Sequence, residues 1–174
     1  MERDYWKQRR AESRYRMLFQ VATSPAIAAK LEESVLEDAK LSRFIEESLR
    51  FEPPARGLFR ATTKEVEFGG TRLPKDAMLC LLFASANEDE TTFDRTREFD
   101  MERKNLNRNM TFGMGIHMCV GMHLARMEVK VAAQEVAKKL TNIKLAVPRE
   151  ELKYHANLAM LSLQSLPLTF TRRH

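Results

Sequence analysis

Residues 112–121 read Phe-Gly-Met-Gly-Ile-His-Met-Cys-Val-Gly and gather the side chains best suited to chemistry. Gly113 and Gly115 let the backbone fold tightly and approach a flat ligand without Cβ clashes. The helical pattern that begins around Val120 sets Cys119 at a helix N-terminus, where unpaired N–H groups and the positive dipole end stabilise a thiolate. A thiolate held that way is a nucleophile or a metal ligand. The competing reading is an inert buried thiol, since free cysteine is among the most buried residue types.

Other candidates are less pointed. His117 taken alone reads as a satisfied polar residue. Glu47 and Arg50 lie across the helical wheel from Leu41, Phe44, Ile45 and Leu49, which describes a solvent-facing pair worth a few tenths of a kcal/mol. Glu46 could equally bridge to Arg50 at i, i+4. Cys80 sits in an apolar run and reads as packing.

Elements must position these groups. Ser24 is placed to N-cap a helix with Pro25 in its first turn, and Ile27, Leu31 and Val35 make one apolar stripe. A second helix runs from about Asp38 until Pro53-Pro54 stops it. Residues 58–83 read as strands, with Gly69-Gly70 supplying the positive φ of a tight hairpin and Pro74-Lys75-Asp76 a second turn. Residues 86–110 are polar and aperiodic, a loop long enough to be functional or wrapped around something.

The helix after the cysteine is apolar on two faces. Leu124, Met127 and Val131 fall on one side; Val129, Ala133, Val136 and Leu140 fall on the other, so it is expected to be sandwiched. Strand-like runs follow at Ile143–Val147 and Leu166–Thr171. Residues 1–16 carry six basic and three acidic side chains, with Tyr5, Trp6 and Tyr15 interleaved. They read as a solvated, helix-prone leader; the sharper alternative is a basic aromatic arm for RNA or a membrane surface.

At 174 residues, 44% hydrophobic and 30% charged, the chain has the size and composition of one ordinary globular domain, which excludes disordered and fibrous classes. A net charge of +5 is too mild to signal a nucleic-acid binder. The longest apolar run, Met78 to Ala84, is too short to span a bilayer, and two cysteines make no disulfide framework. With no charged-then-apolar leader, a cytoplasmic setting is expected.

The pattern Phe112-Gly113-x-Gly115-x-His117-x-Cys119-x-Gly121 has a chance on the order of 10⁻⁸ per start at average composition. It resembles the haem-ligand signature of the cytochrome P450 family. Glu47 and Arg50 resemble that family's Glu-x-x-Arg pair. Residues Phe99-Asp100-Met101-Glu102-Arg103 resemble its meander, with Arg103 as third member of the Glu-Arg-Arg cluster, and the resemblance implies that the meander covers the Glu47–Arg50 face and makes a partly buried network. Arg60-Ala61-Thr62, Phe68-Gly69-Gly70, Leu73-Pro74-Lys75, Ser85-Ala86-Asn87 and Leu124-Ala125-Arg126-x-Glu128 match the bacterial soluble branch in order and spacing. The resemblance covers residues 17–174 as a partial haem-binding domain; residues 1–16 stay unassigned.

The resemblance implies a mainly α fold with small β-sheets (α+β), the C-terminal part of the family's architecture: J and K helices, inner strands, meander, cysteine loop, L helix and C-terminal strands. It implies haem b (iron protoporphyrin IX) with Cys119 as axial thiolate, and cofactor contacts from Arg60, Phe112, Gly113, His117, Gly121 and Ala125. Arg60 and His117 would bind the propionates, while Asn109 stands where relatives often carry a third propionate-binding histidine. Asp89-Glu90-Thr91-Thr92 looks like the family's oxygen-steering acid–alcohol pair but lies downstream of Glu47, the wrong order, and reads as a polar loop.

Function follows by the same route: a haem-thiolate monooxygenase hydroxylating a small organic substrate with O₂. Two electrons would come from a small acidic ferredoxin or a flavin reductase, with Lys104, Arg108 and Arg126 as its basic docking face. Complete family members are more than twice this length, so the chain resembles their C-terminal portion, without the distal helix and lid. Of the pocket, the stretches Pro54–Leu58 and Ala156–Met160 survive. A non-catalytic haem-binding remnant and a basic interaction protein are the competing readings, and exposed apolar patches are expected.

Overall fold

The computed structural model describes residues 2–173, and side chains from Glu12 onward. The side chains of Tyr5 and Trp6, invoked for a basic aromatic arm, lie outside the described residues. The backbone there is helical: α1 (Glu2–Thr23) runs without a break through the boundary drawn at residue 16.

Three further helices build the core. α2 (Pro25–Ser34) starts as the sequence dictates, with Ser24 extended at the N-cap and its hydroxyl accepting from the Ile27 N–H at 3.4 Å. α3 (Asp38–Phe51) ends where Glu52, preceding Pro53, turns extended. α5 (Met122–Lys139) closes the group, after the short α4 (Phe83–Ala86). Met17 and Val21 of α1, Ile27 and Leu31 of α2, Leu41, Phe44, Ile45 and Leu49 of α3, and Val129 and Ala133 of α5 form one buried cluster.

Three antiparallel two-stranded sheets flank this core. β1 (Leu58–Ala61) pairs with β4 (Met78–Leu81), and β2 (Val66–Phe68) with β3 (Thr71–Leu73) through the two-residue turn at Gly69-Gly70. Both turn glycines have positive φ, +56° and +74°, as a hairpin turn matched to strand twist requires. β5 (Leu140–Leu145) pairs with β6 (Leu168–Arg172), with a register shift between Thr141 and Lys144 where Asn142 takes φ +53°. Beneath that sheet, Phe19, Leu152 and Leu163 form a second small core. The expected mainly α architecture with small sheets is what the chain adopts.

Two expectations fail. The helix after the cysteine is not sandwiched: Val129 and Ala133 are buried, while Leu124, Met127 and Val131 are 46%, 57% and 53% exposed, which are the exposed apolar patches also expected. Its sequence carries two apolar faces, and the described residues cover only one. Cys80 is exposed on β4, opposite the half-exposed Phe59, and is not packing.

Gly57 leads into β1, and a Cβ there would stand 2.6 Å from the Leu81 carbonyl oxygen, a backbone atom that cannot swing away. Gly57→Ala should therefore disrupt the β1–β4 pair and cost about 1–3 kcal/mol. Urea unfolding checks this; a midpoint equal to wild type would refute it.

Candidate functional site

The cysteine loop folds on local backbone bonds. Cys119 N–H donates to the Phe112 carbonyl at 2.9 Å, Gly113 N–H to Met110 at 2.9 Å, and Met118 N–H to Gly115 at 3.0 Å across the 3₁₀ turn Gly115–His117. Gly113 and Gly115 have φ +70° and +74°. A Cβ on Gly115 would meet nothing within 4 Å, so its glycine answers to backbone conformation and to open space above the loop. Cys119 is exposed, two residues before Gly121, the N-cap of α5, which has no side-chain cap. The sulfur thus sits at the positive end of an 18-residue helix that no side-chain oxygen caps, its first N–H, on Met122, donating to the Cys119 carbonyl at 3.2 Å. It is not a buried thiol.

Around the sulfur, His117 is exposed and Ala125 half-buried, its N–H bonded to the Gly121 carbonyl at 2.9 Å. A Cβ on Gly121 would make ordinary contact with Cys119 Sγ at 3.8 Å. Arg60, half-buried on β1, has Nη1 on its neighbour's carbonyl, Phe59 O, at 2.9 Å. Phe112 is half-buried against the main core, and the Arg126 guanidinium lies 4.7 Å from its ring centroid.

Arg126 in turn grips Glu46, at 2.5 Å from Nε to Oε1 and 3.0 Å from Nη2 to Oε2. Asn109 Nδ2 donates to the same carboxylate at 3.2 Å. Glu46 therefore serves α5 and not Arg50, and the Asn109 amide is turned toward Glu46. Of the three basic residues assigned to a docking face, Lys104 and Arg108 are exposed, while Arg126 is committed inward.

Below the loop lies a buried charge cluster. Glu47 and Arg50 are 0% and 1% exposed, so the solvent-pair reading of the helical wheel is wrong. Arg50 holds Glu47 with two bonds, Nε to Oε2 at 2.7 Å and Nη2 to Oε1 at 2.8 Å. Its remaining donors reach the carbonyls of Asn87 at 2.9 Å and Thr96 at 3.0 Å. Arg103 adds a bond to Glu47 Oε1 at 3.2 Å and donates to the carbonyls of Asp94, Arg95 and Glu98. Two guanidiniums thus wrap residues 88–103 around α3, satisfying backbone oxygens that a 25-residue aperiodic loop would otherwise bury unpaired.

Asn87, which sequence reasoning recognised only as part of a matching stretch, couples that cluster to the cysteine loop. Fully buried, it donates through Nδ2 to the Arg50 carbonyl at 3.3 Å and to Thr111 Oγ1 at 3.2 Å. Its Oδ1 accepts from Met110 N–H at 2.6 Å, and Thr111 donates to the Leu49 carbonyl at 2.9 Å. The signal in the sequence was its place in the Ser85-Ala86-Asn87 match.

Acid should loosen this wrapping. Burial pushes the Asp100 carboxyl up, but the Glu102 N–H at 2.8 Å and the charges of Arg95 and Arg103 outweigh it and hold it below the ordinary carboxylate range. Arg95 Nη2 lies 2.7 Å away, and the facing groups are Arg95, Arg103 and Glu47, whose Oε1 accepts the Asp100 N–H. A depressed folded pKa contributes stability that is complete above the unfolded value, near 4, and lost as pH falls through the folded one. The chain's stability should drop below about pH 4, and Asp100→Asn should flatten that acid limb in urea titrations at graded pH. Asp89 is held low by the Thr91 hydroxyl and N–H in an exposed turn, as a polar loop requires.

The two stretches assigned to a substrate pocket meet. Arg56 N–H donates to the Ala159 carbonyl at 2.7 Å, and Leu161 N–H to the Pro54 carbonyl at 2.9 Å. Among the described residues, no helix is long and apolar enough to cross a membrane.

Comparison with known proteins agrees with this geometry. The cytochrome P450 family model matches residues 16–171. A cytochrome P450 of Bacillus subtilis is 37% identical over 127 residues, 72% of this chain and 31% of that protein. A steroid C26-monooxygenase of Mycobacterium tuberculosis is 36% identical over 127 residues, 73% of this chain and 34% of that one. Among solved structures, the cytochrome P450 CYP109Q5 from Chondromyces apiculatus superposes with a TM-score of 0.83 at 31% identity, covering 95% of this chain and 42% of that one. CYP150A6 of Mycobacterium marinum gives 0.86 at 26%, covering 96% and 42%. The chain belongs to the cytochrome P450 family, and it spans about a third of the length of these curated relatives.

Proposed function

We propose that Cys119 is the axial thiolate of a haem b site in a cytochrome P450-type monooxygenase acting on a small organic substrate. The single observation that carries this reading is the exposed sulfur at the uncapped N-terminus of α5, in a positive-φ glycine loop with open space beside Gly115. Those residues fit an iron porphyrin: a soft sulfur donor on an exposed loop and no Cβ on the approach beside Gly115. Bound there, haem supplies the dioxygen and one-electron chemistry that protein side chains lack.

The chain's own contributions are holding and orienting. The α5 N-terminus and the glycine loop before it present the Cys119 sulfur on the surface as a ligand. Gly113 and Gly121 keep the loop close, with Phe112 and Ala125 as apolar contacts. Arg60 and His117 would hold the propionates. Glu47, Arg50 and Arg103 form the structural cluster that fixes the loop's foundation. Residues 54–58 and 156–160, bonded to each other, would shape one wall of the substrate pocket. Exposed Lys104 and Arg108 offer a basic surface to a small acidic ferredoxin or a flavin reductase.

The extensive exposed apolar surface beside the loop, with Ile116 and Val120 almost fully exposed, favours a second reading for this length of chain. It would hold haem without oxygenating substrate by itself. One experiment addresses both readings. The chain is expressed with haem, reduced and exposed to carbon monoxide. A thiolate-type carbonyl spectrum is expected, and Cys119→Ala should abolish it; identical spectra from both proteins would end the proposal. Oxidation of a test substrate by the same material with redox partners would exclude the remnant reading.

A further inference from the structure

Residues 114–120 carry Cys119 and are exposed throughout. Their backbone bonds run within the loop or to its two ends: Met118 N–H to the Gly115 carbonyl, Cys119 N–H to the Phe112 carbonyl, and Met122 N–H to the Cys119 carbonyl. Where the sulfur stands therefore depends on what fixes Phe112 at one end and the first turn of α5 at the other.

One side chain joins those ends. Arg126, on the second turn of α5, has its guanidinium 4.7 Å from the Phe112 ring centroid, inside the distance of about 6 Å at which a cation is drawn to an aromatic face. A guanidinium free to swing would hold nothing, but Glu46 of α3 fixes this one. Its carboxylate accepts from Arg126 Nε at 2.5 Å and from Nη2 at 3.0 Å, a planar two-bond grip. With 22% of the Glu46 side chain and 33% of the Arg126 side chain exposed, water screens this pair less than it screens a surface bridge. The same carboxylate accepts from Asn109 Nδ2, and Asn109 Oδ1 accepts the Thr111 N–H at 3.3 Å, so Glu46 also holds the chain leading into Phe112. We propose that Arg126 is a positioning residue for Cys119: clamped by Glu46, it fixes the Phe112 ring and, through the Phe112 carbonyl, the Cys119 N–H relative to α5. The consequence, a sulfur held in one place for the metal, rests on the reading of Cys119 as axial ligand. The clamp itself does not.

The test is amide hydrogen exchange on the 174-residue chain, read residue by residue by NMR, beside the reduced carbon monoxide spectrum of the haem-loaded protein. Arg126→Met keeps an apolar stem beside Phe112 and removes the charge. It should speed exchange of the Cys119 amide by about fivefold or more, while the amides of the buried Val129 and Ala133 stay within about twofold of the parent. Phe112→Leu leaves the Glu46–Arg126 pair in place and should act alike, which carries the test should Arg126→Met fail to fold. In the loaded protein, the share of the carbonyl band that is thiolate-type should fall by about twofold or more in both variants. A general packing defect would lower the haem content and leave that share alone. Cys119 exchange at the parent's rate, an equal rise at Val129 and Ala133, or an unchanged band share would each overturn the proposal. A parent with no thiolate-type band would instead end the haem reading, and the exchange rates would still decide the clamp.

Discussion

Arg50→Met is expected to destabilise the chain by about 3 kcal/mol or more and to release residues 88–111 from α3. The substitution leaves Glu47 buried with only Arg103 for compensation, and it strips the carbonyls of Asn87 and Thr96 of their donor. Breaking one partner of a buried pair typically costs 3–5 kcal/mol, and the surviving Arg103 puts this case toward the lower end. Against a total stability of about 5–15 kcal/mol that is a large share. Arg72→Met supplies the contrast: its ion pair with Glu65 at 2.6 Å is similarly short but exposed at both ends, and should be worth under about 1 kcal/mol. Urea unfolding measures both, and limited proteolysis between residues 88 and 111 reads the release. Equal midpoints for the two variants would mean that burial adds nothing to the Glu47–Arg50 pair. Because Asn87 joins this cluster to Met110 and Thr111, Arg50→Met should also slow the haem uptake proposed for the Cys119 loop, a readout that a purely local defect in α3 would not move.

Much of this framework was legible from local chemistry. Ser24-Pro25 starts a helix for reasons contained in two residues, and Gly69-Gly70 makes a hairpin because few other pairs reach its dihedrals. The Glu47–Arg50 pair was not legible that way. A helical wheel reports which residues share a face, and it cannot report that a loop 50 residues downstream folds over the polar one. Only the resemblance to the cytochrome P450 family pointed to a cover, and the structure supplies it through Arg103 and the Asp100 N–H. Glu46 shows the same limit: its i, i+4 partner Arg50 was the natural choice by spacing, yet Arg126, 80 residues away, holds it. Cys80 failed for a different reason. Apolar neighbours in a two-stranded sheet do not imply burial: Leu79, on the other face, is half-buried, while the Cys80–Phe59 face is exposed. Cys119 was the most legible residue of all, because glycine spacing and a following helix constrain its backbone locally.

Two apolar faces on α5 make opposite demands, and substitution can separate them. Val129 is 1% exposed among the residues of α1, α2 and α3, so Val129→Ala removes packed methyl groups and should cost about 1–3 kcal/mol. Met127 and Val131, one turn apart on the far side, are more than half exposed. Met127→Glu with Val131→Gln therefore removes little buried area and should shift stability by less than about 0.5 kcal/mol, the scale of surface changes. Their effect should appear in association instead. With Leu124, and with Val120 and Ile116 before it, they are exposed apolar side chains of a kind that favours self-association. The double variant should stay monodisperse at concentrations where the parent aggregates, by light scattering, with an unchanged urea midpoint. A midpoint lowered as far as by Val129→Ala would mean that this face is packed in solution. That result would place a covering partner on the helix, and the two apolar stripes in the sequence would both be core.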